Sequence, residues 1–321
     1  MESVLIQGLG FVLVVLACTA NDSLQTLGTF MVSNRGKTPL WLQVVWISLA
    51  TIGILVFGWI RYHGDPAWDR LGSFPPPETF SWYYLIPPIT IAGLSWWGAP
   101  IGTSILVLSA FAPMQSTALV TASAWGYVLS MIISLLVYGL GLWWLERRFS
   151  HHDHKLSNEL PRRWLILQWF STAWLWCQWM IQNAASLYVY LPRRLSLMEL
   201  SVSMAVICAA LALIFCWGGG PIQTIIRRKI NIHDIRSATL IDLVFGMILF
   251  TRALSMSMIP LSTTWVFLGM LAGRELALVA RLHQSSAKLA VKQLAKDLFK
   301  ASVGVAISIA VASSLQLILM E

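Results

Sequence analysis

Long apolar runs separated by short polar stretches set the pattern of this chain. Runs at 4–18, 40–60, 81–95, 117–145, 164–182, 199–217, 239–258 and 299–319 predict helices, because a membrane-spanning helix needs ~20 mostly apolar residues. Two further runs, 98–113 and 259–272, open on proline and hydroxyl residues. They are too short to span comfortably and predict half-helices or re-entrant hairpins. Residues 61–80 hold Pro66, Pro75, Pro76 and Pro77 among mixed charges and predict a surface loop. Residues 146–163 hold Glu146, Arg147, Arg148 and the run His151-His152-Asp153-His154. This basic linker divides the chain into a first transmembrane half, 1–145, and a second, 164–321. Residues 218–237 carry a glycine cluster followed by Arg227-Arg228-Lys229. Within 274–298, Lys288, Lys292 and Lys296 share one helical face, which predicts an amphipathic helix on an anionic membrane surface.

Composition narrows the class. Of 321 residues 57% are hydrophobic and 11% charged, the balance of an all-α polytopic protein of the inner or plasma membrane. The net charge of +8 sits mainly in the loops, so it reads as positive-inside bias and not as a nucleic-acid surface. It marks 146–163 and 218–237 as the cytoplasmic loops. Cys18, Cys177, Cys208 and Cys216 lie in apolar runs without a CxxC pair, so neither disulfides nor metal ligation is indicated. The adjacent histidines of 151–154 do not converge on one ion without a special turn. The N-terminal run carries Glu2 and no basic flank, so it reads as a retained helix rather than a signal peptide. No Ser-His-Asp, Cys-His or paired-carboxylate pattern points to an enzyme. A homodimer is compatible with this pattern.

One stretch breaks the hydrophobic rule: Thr19-Ala20-Asn21-Asp22-Ser23-Leu24-Gln25-Thr26-Leu27-Gly28-Thr29. A carboxylate at membrane depth is costly and usually faces a cavity or an ion path. A broken helix here would carry cation ligands: Asp22, the amides of Asn21 and Gln25, and the hydroxyls of Thr19, Ser23, Thr26 and Thr29. Alternatively the first helix stops at Cys18, and Asn21 or Asp22 caps the next one in the headgroup region. An internal repeat favours the first reading. Ala99-Pro100-Ile101-Gly102-Thr103-Ser104 in the first half matches Ile259-Pro260-Leu261-Ser262-Thr263-Thr264 in the second. Ile181-Gln182-Asn183-Ala184 occupies, in its half, the position of Ala20-Asn21-Asp22. Paired interruptions at corresponding places in two halves are a pointer to a transporter binding site.

These residues resemble the inorganic phosphate transporter (PiT) family over nearly the whole chain. The family's GANDVAN-like motif is similar to Thr19–Gln25, and its later P-[IV]-S-T-T-H motif to Pro100–Ser104 and Pro260–Thr264. Pro221-Ile222-Gln223-Thr224 and Arg228-Lys229-Ile230 also match. The resemblance implies an inverted-repeat membrane fold with a tetrahedral oxyanion bound near the midplane. Asn21, Asp22, Gln25 and Asn183 would serve a coupling cation, sodium or a proton, with no other cofactor. Thr103, Ser104, Ser262, Thr263 and Thr264 would surround the oxyanion. The chain departs from the family at Thr19 (glycine), Gln25 (asparagine), Gly102 (serine), Ala184 (the second aspartate), and Ile105 and Trp265 (histidines).

Arg252 lies inside an apolar run with Asp242 ten residues before it, ~15 Å away on a straight helix. It would neutralise the oxyanion or pair with Asp22; the alternative is snorkelling from a helix end. The expected function is uptake of phosphate, or of sulfate, driven by a cation gradient. A degenerate repeat protein that binds an oxyanion as a sensor or scaffold is the competing expectation, favoured by Ala184.

Overall fold

A computed structural model describes residues 2–97, 101–145, 147, 162–218, 235–254, 259–282 and 287–320. The His151–His154 run, most of the 146–163 linker and the basic cluster at 227–229 lie outside the described residues. Among the described residues the chain is helical, with no strand. Helix α1 spans Glu2–Ser33 and α2 spans Leu40–Arg61; a turn at Trp82–Leu85 leads into α3, Ile86–Trp96. Helix α4, Thr103–Phe111, passes through a turn at Pro113–Gln115 into α5, Ser116–Leu136, which continues as a wider π-type segment over Val137–Leu142. In the second half follow α6, Arg162–Tyr188; α7, Leu197–Cys216; α8, Ile235–Leu254; α9, Thr263–Leu282; and α10, Ala287–Met320.

Six helical segments are long and apolar enough to cross a membrane, so the chain is a multi-pass membrane protein by length and composition. The bundle carries apolar side chains on its outside. Trp41, Leu49, Phe57 and Ile60 on α2, and Trp125, Leu129, Ile132 and Leu136 on α5, are exposed, as a hydrocarbon solvent requires. Helices α6 and α8 carry the interior polar residues Gln168, Thr172, Gln182, Asn183 and Asp242, all buried. A helix with polar groups on its packed faces belongs at the centre of such a bundle.

Four expectations are corrected. First, α1 runs unbroken through Asn21 and Asp22, and α6 through Ile181–Ser186. No helix breaks or caps at these motifs, because their side chains find partners on other helices and the backbone ladder stays intact. Second, only the first of the two short runs is a half-helix. Helix α4 has nine residues, all buried, ~13 Å of rise and far short of a bilayer. Helix α9 has 20 residues and is long enough to span; Arg274 and Glu275 interrupt its apolar run without ending the helix. Third, no separate surface helix covers 274–298. Residues up to 282 finish α9, and those from 287 open α10.

Fourth, the 61–80 segment is not a plain surface loop. Asp65, Pro66, Ala67, Arg70, Leu71 and Phe74 are buried, so the segment folds back into the bundle. Asp65 accepts the N–H groups of Ala67 at 2.7 Å and Asp69 at 2.9 Å. Arg193 donates to the carbonyl of Phe74 and, at 3.2 Å each, to those of Val189 and Leu191. A sequence window sees the prolines and charges but not these long-range partners.

Helices α5 and α9 pack backbone to backbone. A Cβ on Gly269 would lie 2.2 Å from the Tyr127 carbonyl oxygen, and one on Gly273 2.1 Å from that of Met131. Glycines four apart leave a groove on one face of α9, the small-residue contact by which membrane helices approach closely. Ser134 donates across the same contact to the Met270 carbonyl at 2.7 Å. Gly269→Ala and Gly273→Ala should each destabilise the protein by ~1–3 kcal/mol through overpacking. Gly53→Ala, where an added Cβ meets nothing within 4 Å, should leave the thermal unfolding midpoint in detergent unchanged. Equal midpoints for all three variants would contradict this packing.

Candidate functional site

The N-termini of α4 and α9 meet inside the bundle. A Cβ on Gly102, just before α4, would sit 2.8 Å from Ser262 Oγ, just before α9. A side chain at position 102 would crowd Ser262 and Ile105 and would fit only if one of them shifted. Each helix start leaves backbone N–H groups without intrahelical partners, and each carries the positive end of a helix dipole. The Ser262 N–H is held by Ser123 Oγ at 2.9 Å. Its own hydroxyl is buried and unpartnered among the described residues.

Asp22 is fully buried against these two ends. Its Oδ2 accepts from Thr103 Oγ1 at 2.6 Å; its Oδ1 accepts from Asn21 Nδ2 at 2.6 Å and lies 3.4 Å from Thr264 Oγ1. The Thr264 hydroxyl has one proton, and its shorter contact is to the Ile101 carbonyl at 2.8 Å. Asn21 Nδ2 reaches the same carbonyl at 3.1 Å, and Asn21 Oδ1 accepts from Ser95 at 3.3 Å. Gln25 Nε2 donates to Thr264 Oγ1 at 3.2 Å. The result is a buried hydrogen-bonded cluster of one carboxylate, two amides, a backbone carbonyl and three hydroxyls.

Asn183 on α6, which the sequence repeat aligns with Asn21, bonds the same two helix starts. Its Oδ1 accepts from Ser104 Oγ at 3.1 Å, and its Nδ2 donates to Thr263 Oγ1 and the Trp179 carbonyl, both at 3.1 Å. Asp22 thus bonds the first residue of α4 and lies 3.4 Å from the second of α9, whereas Asn183 bonds the second residue of α4 and the first of α9. Ala184, where a second carboxylate was absent from the sequence, is fully buried.

Nine of the ten residues singled out from the sequence therefore gather at the two helix starts: Asn21, Asp22, Gln25, Thr103, Ser104, Asn183, Ser262, Thr263 and Thr264. Arg252 does not join them. Asp22 takes its donors from neutral groups, and Arg252 lies in the last turn of α8, close enough to Arg70 to oppose its charge. Arg252 is not among the groups that bond Asp22.

Sequence reading named Asp242 and Thr29 but did not bring them together as a second buried carboxyl centre. Asp242 Oδ1 accepts from Thr29 on α1 at 2.7 Å, and its Oδ2 from Thr172 on α6 at 2.5 Å. Thr29 is seven residues beyond Asp22, and so on the same face of α1, ~10 Å further along. The polar line continues to Ser33 and Asn34, which bond Gln168; Asn34 Nδ2 reaches Gln168 Oε1 at 2.9 Å. That spacing along α1 was the available signal.

No protein-family model, curated protein or solved structure matches the chain.

Gly102→Ala should force the two helix starts apart and cost ~1–3 kcal/mol of stability. Adding Ser262→Ala removes the nearest colliding atom and should recover part of that loss, a coupling measurable as a double-mutant cycle on unfolding in detergent. Strict additivity would mean that the two positions do not touch.

Proposed function

We propose that this protein is a secondary active transporter of inorganic phosphate or a similar tetrahedral oxyanion such as sulfate, coupled to sodium or protons. In this reading its two halves are inverted repeats that meet at the α4 and α9 starts. One observation carries the reading: Asp22 bonds the α4 start and approaches Thr264 at the α9 start to 3.4 Å, while Asn183 bonds the neighbouring residue at each of the same two starts. A pseudo-two-fold axis between two halves produces such a pairing, and midplane sites at paired helix ends are how repeat transporters hold substrate and ion together. The paired dipole ends and the hydroxyls of Thr103, Ser104, Ser262, Thr263 and Thr264 suit an oxyanion. The carboxylate, amide and carbonyl oxygens around Asp22 suit sodium, or Asp22 itself carries the proton. The resemblance to the phosphate transporter family supports the same assignment.

The buried methyl of Ala184 favours a second reading, a degenerate oxyanion sensor or scaffold without transport. Uptake of radiolabelled phosphate and sulfate into sealed proteoliposomes separates the two. Saturable uptake driven by an inward sodium or proton gradient supports transport; binding without uptake under either gradient supports the sensor.

Asp22→Asn should abolish gradient-driven uptake while the protein still folds and inserts, because the cation pocket loses its carboxylate. Full uptake by this variant would remove Asp22 from the mechanism. With a carboxylate at only one of the two paired positions, the initial rate should rise with the coupling cation with a Hill coefficient of roughly one. A steep, cooperative sodium dependence would require a second cation site, with Asp242 the first residue to replace.

A further inference from the structure

Helices α1, α6 and α8 enclose a carboxyl group that stands apart from the Asp22 cluster. Asp242 is fully buried. Its Oδ1 accepts from Thr29 at 2.7 Å and its Oδ2 from Thr172 at 2.5 Å, one threonine from each half of the chain. A mid-helix threonine commonly bonds the carbonyl four residues back on its own helix, as Thr51, Thr90 and Thr239 do. Thr29 and Thr172 reach across helices to Asp242 instead.

No cationic side chain completes this set. Among the described residues the two hydroxyls are the hydrogen-bond partners of Asp242. The elements packed against α8 are α6, α1, α9 and α5. Helix α6 has no charged side chain after Arg163 and α5 has none; α1 carries Asp22 and, at its start, Glu2. Helix α9 carries Arg274, Glu275 and Arg281, and Arg274 donates to Ser237 at 3.1 Å, five residues before Asp242. Arg236 and Arg252 lie toward the two ends of α8. The other titratable groups on these elements are the thiols of Cys18 and Cys177 and the phenols of Tyr127 and Tyr188.

Two neutral donors do not offset an ionised carboxylate inside a membrane bundle. A proton does, and it needs no further ligands. The carboxylic acid donates to one threonine, whose own hydroxyl proton turns to the carbonyl four residues back. The Asp22 cluster is built differently. It adds amide groups and the Ile101 carbonyl to its carboxylate and hydroxyls, and a hard metal cation takes such oxygen ligands.

Thr29 lies on the Asp22 face of α1, ~10 Å further along. It bonds Asp242 and takes no part in the Asp22 cluster. Beyond it Ser33 and Asn34 bond Gln168 on α6. Asp242 therefore sits to one side of the paired helix starts, toward the α1 C-terminus and the α6 N-terminus, where the two halves of the chain meet again.

We propose that Asp242 is the proton-carrying residue of this protein and that the Asp22 cluster is left to sodium. Asp242 takes a proton from water on one side of the membrane and returns it to water on the other, as the Thr29 bond between the halves breaks and re-forms. The proposal rests on the transport reading above and deepens it by giving proton and sodium separate carboxyl groups.

The test is uptake of radiolabelled inorganic phosphate into sealed proteoliposomes of the full chain. One arm uses an inward proton gradient with equal sodium on both sides; the other uses an inward sodium gradient at equal pH. The unaltered protein should accumulate phosphate under the proton gradient. Asp242→Asn, which keeps an oxygen between the two threonines, should lose proton-driven accumulation and retain both phosphate exchange and sodium-driven uptake. Proton-driven accumulation by the folded Asp242→Asn variant overturns the assignment. Loss of exchange and sodium-driven uptake as well marks a structural role and also overturns it. An unaltered protein that follows the sodium gradient and ignores the proton gradient keeps transport and removes Asp242 as its proton carrier. No uptake under either gradient removes transport and this assignment together. Should Asp242→Asn fail to elute and melt as folded protein, Thr172→Val and Thr172→Ser decide. The valine variant should change the pH profile of uptake and the serine variant should keep it; an unchanged profile in the folded valine variant overturns the proposal.

Discussion

A carboxyl group buried in a membrane bundle has no water to solvate it, so every donor it needs must come from the protein. Asp22 collects Asn21 from its own helix, Thr103 from α4 and the more distant Thr264 from α9. Those three elements must converge for α1 to cross with its carboxyl group inside. Asn183 imposes the same demand from α6 on the same two helix starts. Non-helical backbone at Ile101–Gly102 and Leu261–Ser262 lies where these demands meet, and the long helices that bear the polar motifs remain unbroken.

Close approach makes the convergence feasible. Gly102 lets the two helix starts touch, and Gly269 and Gly273 let α9 lie directly on the backbone of α5. Helix α4, too short to span, is buried along its whole length and can end at membrane depth because other helices surround it. Exposed apolar side chains on α2 and α5 meet lipid, and polar residues are held in the interior. In hydrocarbon the polar pairs and small-residue contacts specify which helices pack together. The second carboxyl centre at Asp242, reached by Thr29 and Thr172, ties α1, α6 and α8 in the same manner.

Much of this was legible in the sequence. Run length and hydropathy marked the membrane helices, since burial in hydrocarbon demands long apolar segments whatever their neighbours. The paired motifs around Asn21-Asp22, Thr103-Ser104, Asn183 and Ser262–Thr264 identified the residues that gather at the two helix starts, because polar groups at membrane depth stand out against an apolar background. Tertiary structure decided the rest. A motif of Asn and Asp reads as a helix break when its partners are unseen; once Ile101, Thr103 and Thr264 supply those partners, the helix continues. The 61–80 segment reads as surface because its prolines and charges are local, whereas Gln182, which receives Arg70, lies 112 residues away in the chain. Arg252 could be paired with Asp22 on charge alone, but the donors that reach Asp22 in the bundle are neutral. Local composition determined which groups had to be buried; three-dimensional packing determined what each of them meets there, because hydrogen-bond partners are chosen by distance in space and not along the chain.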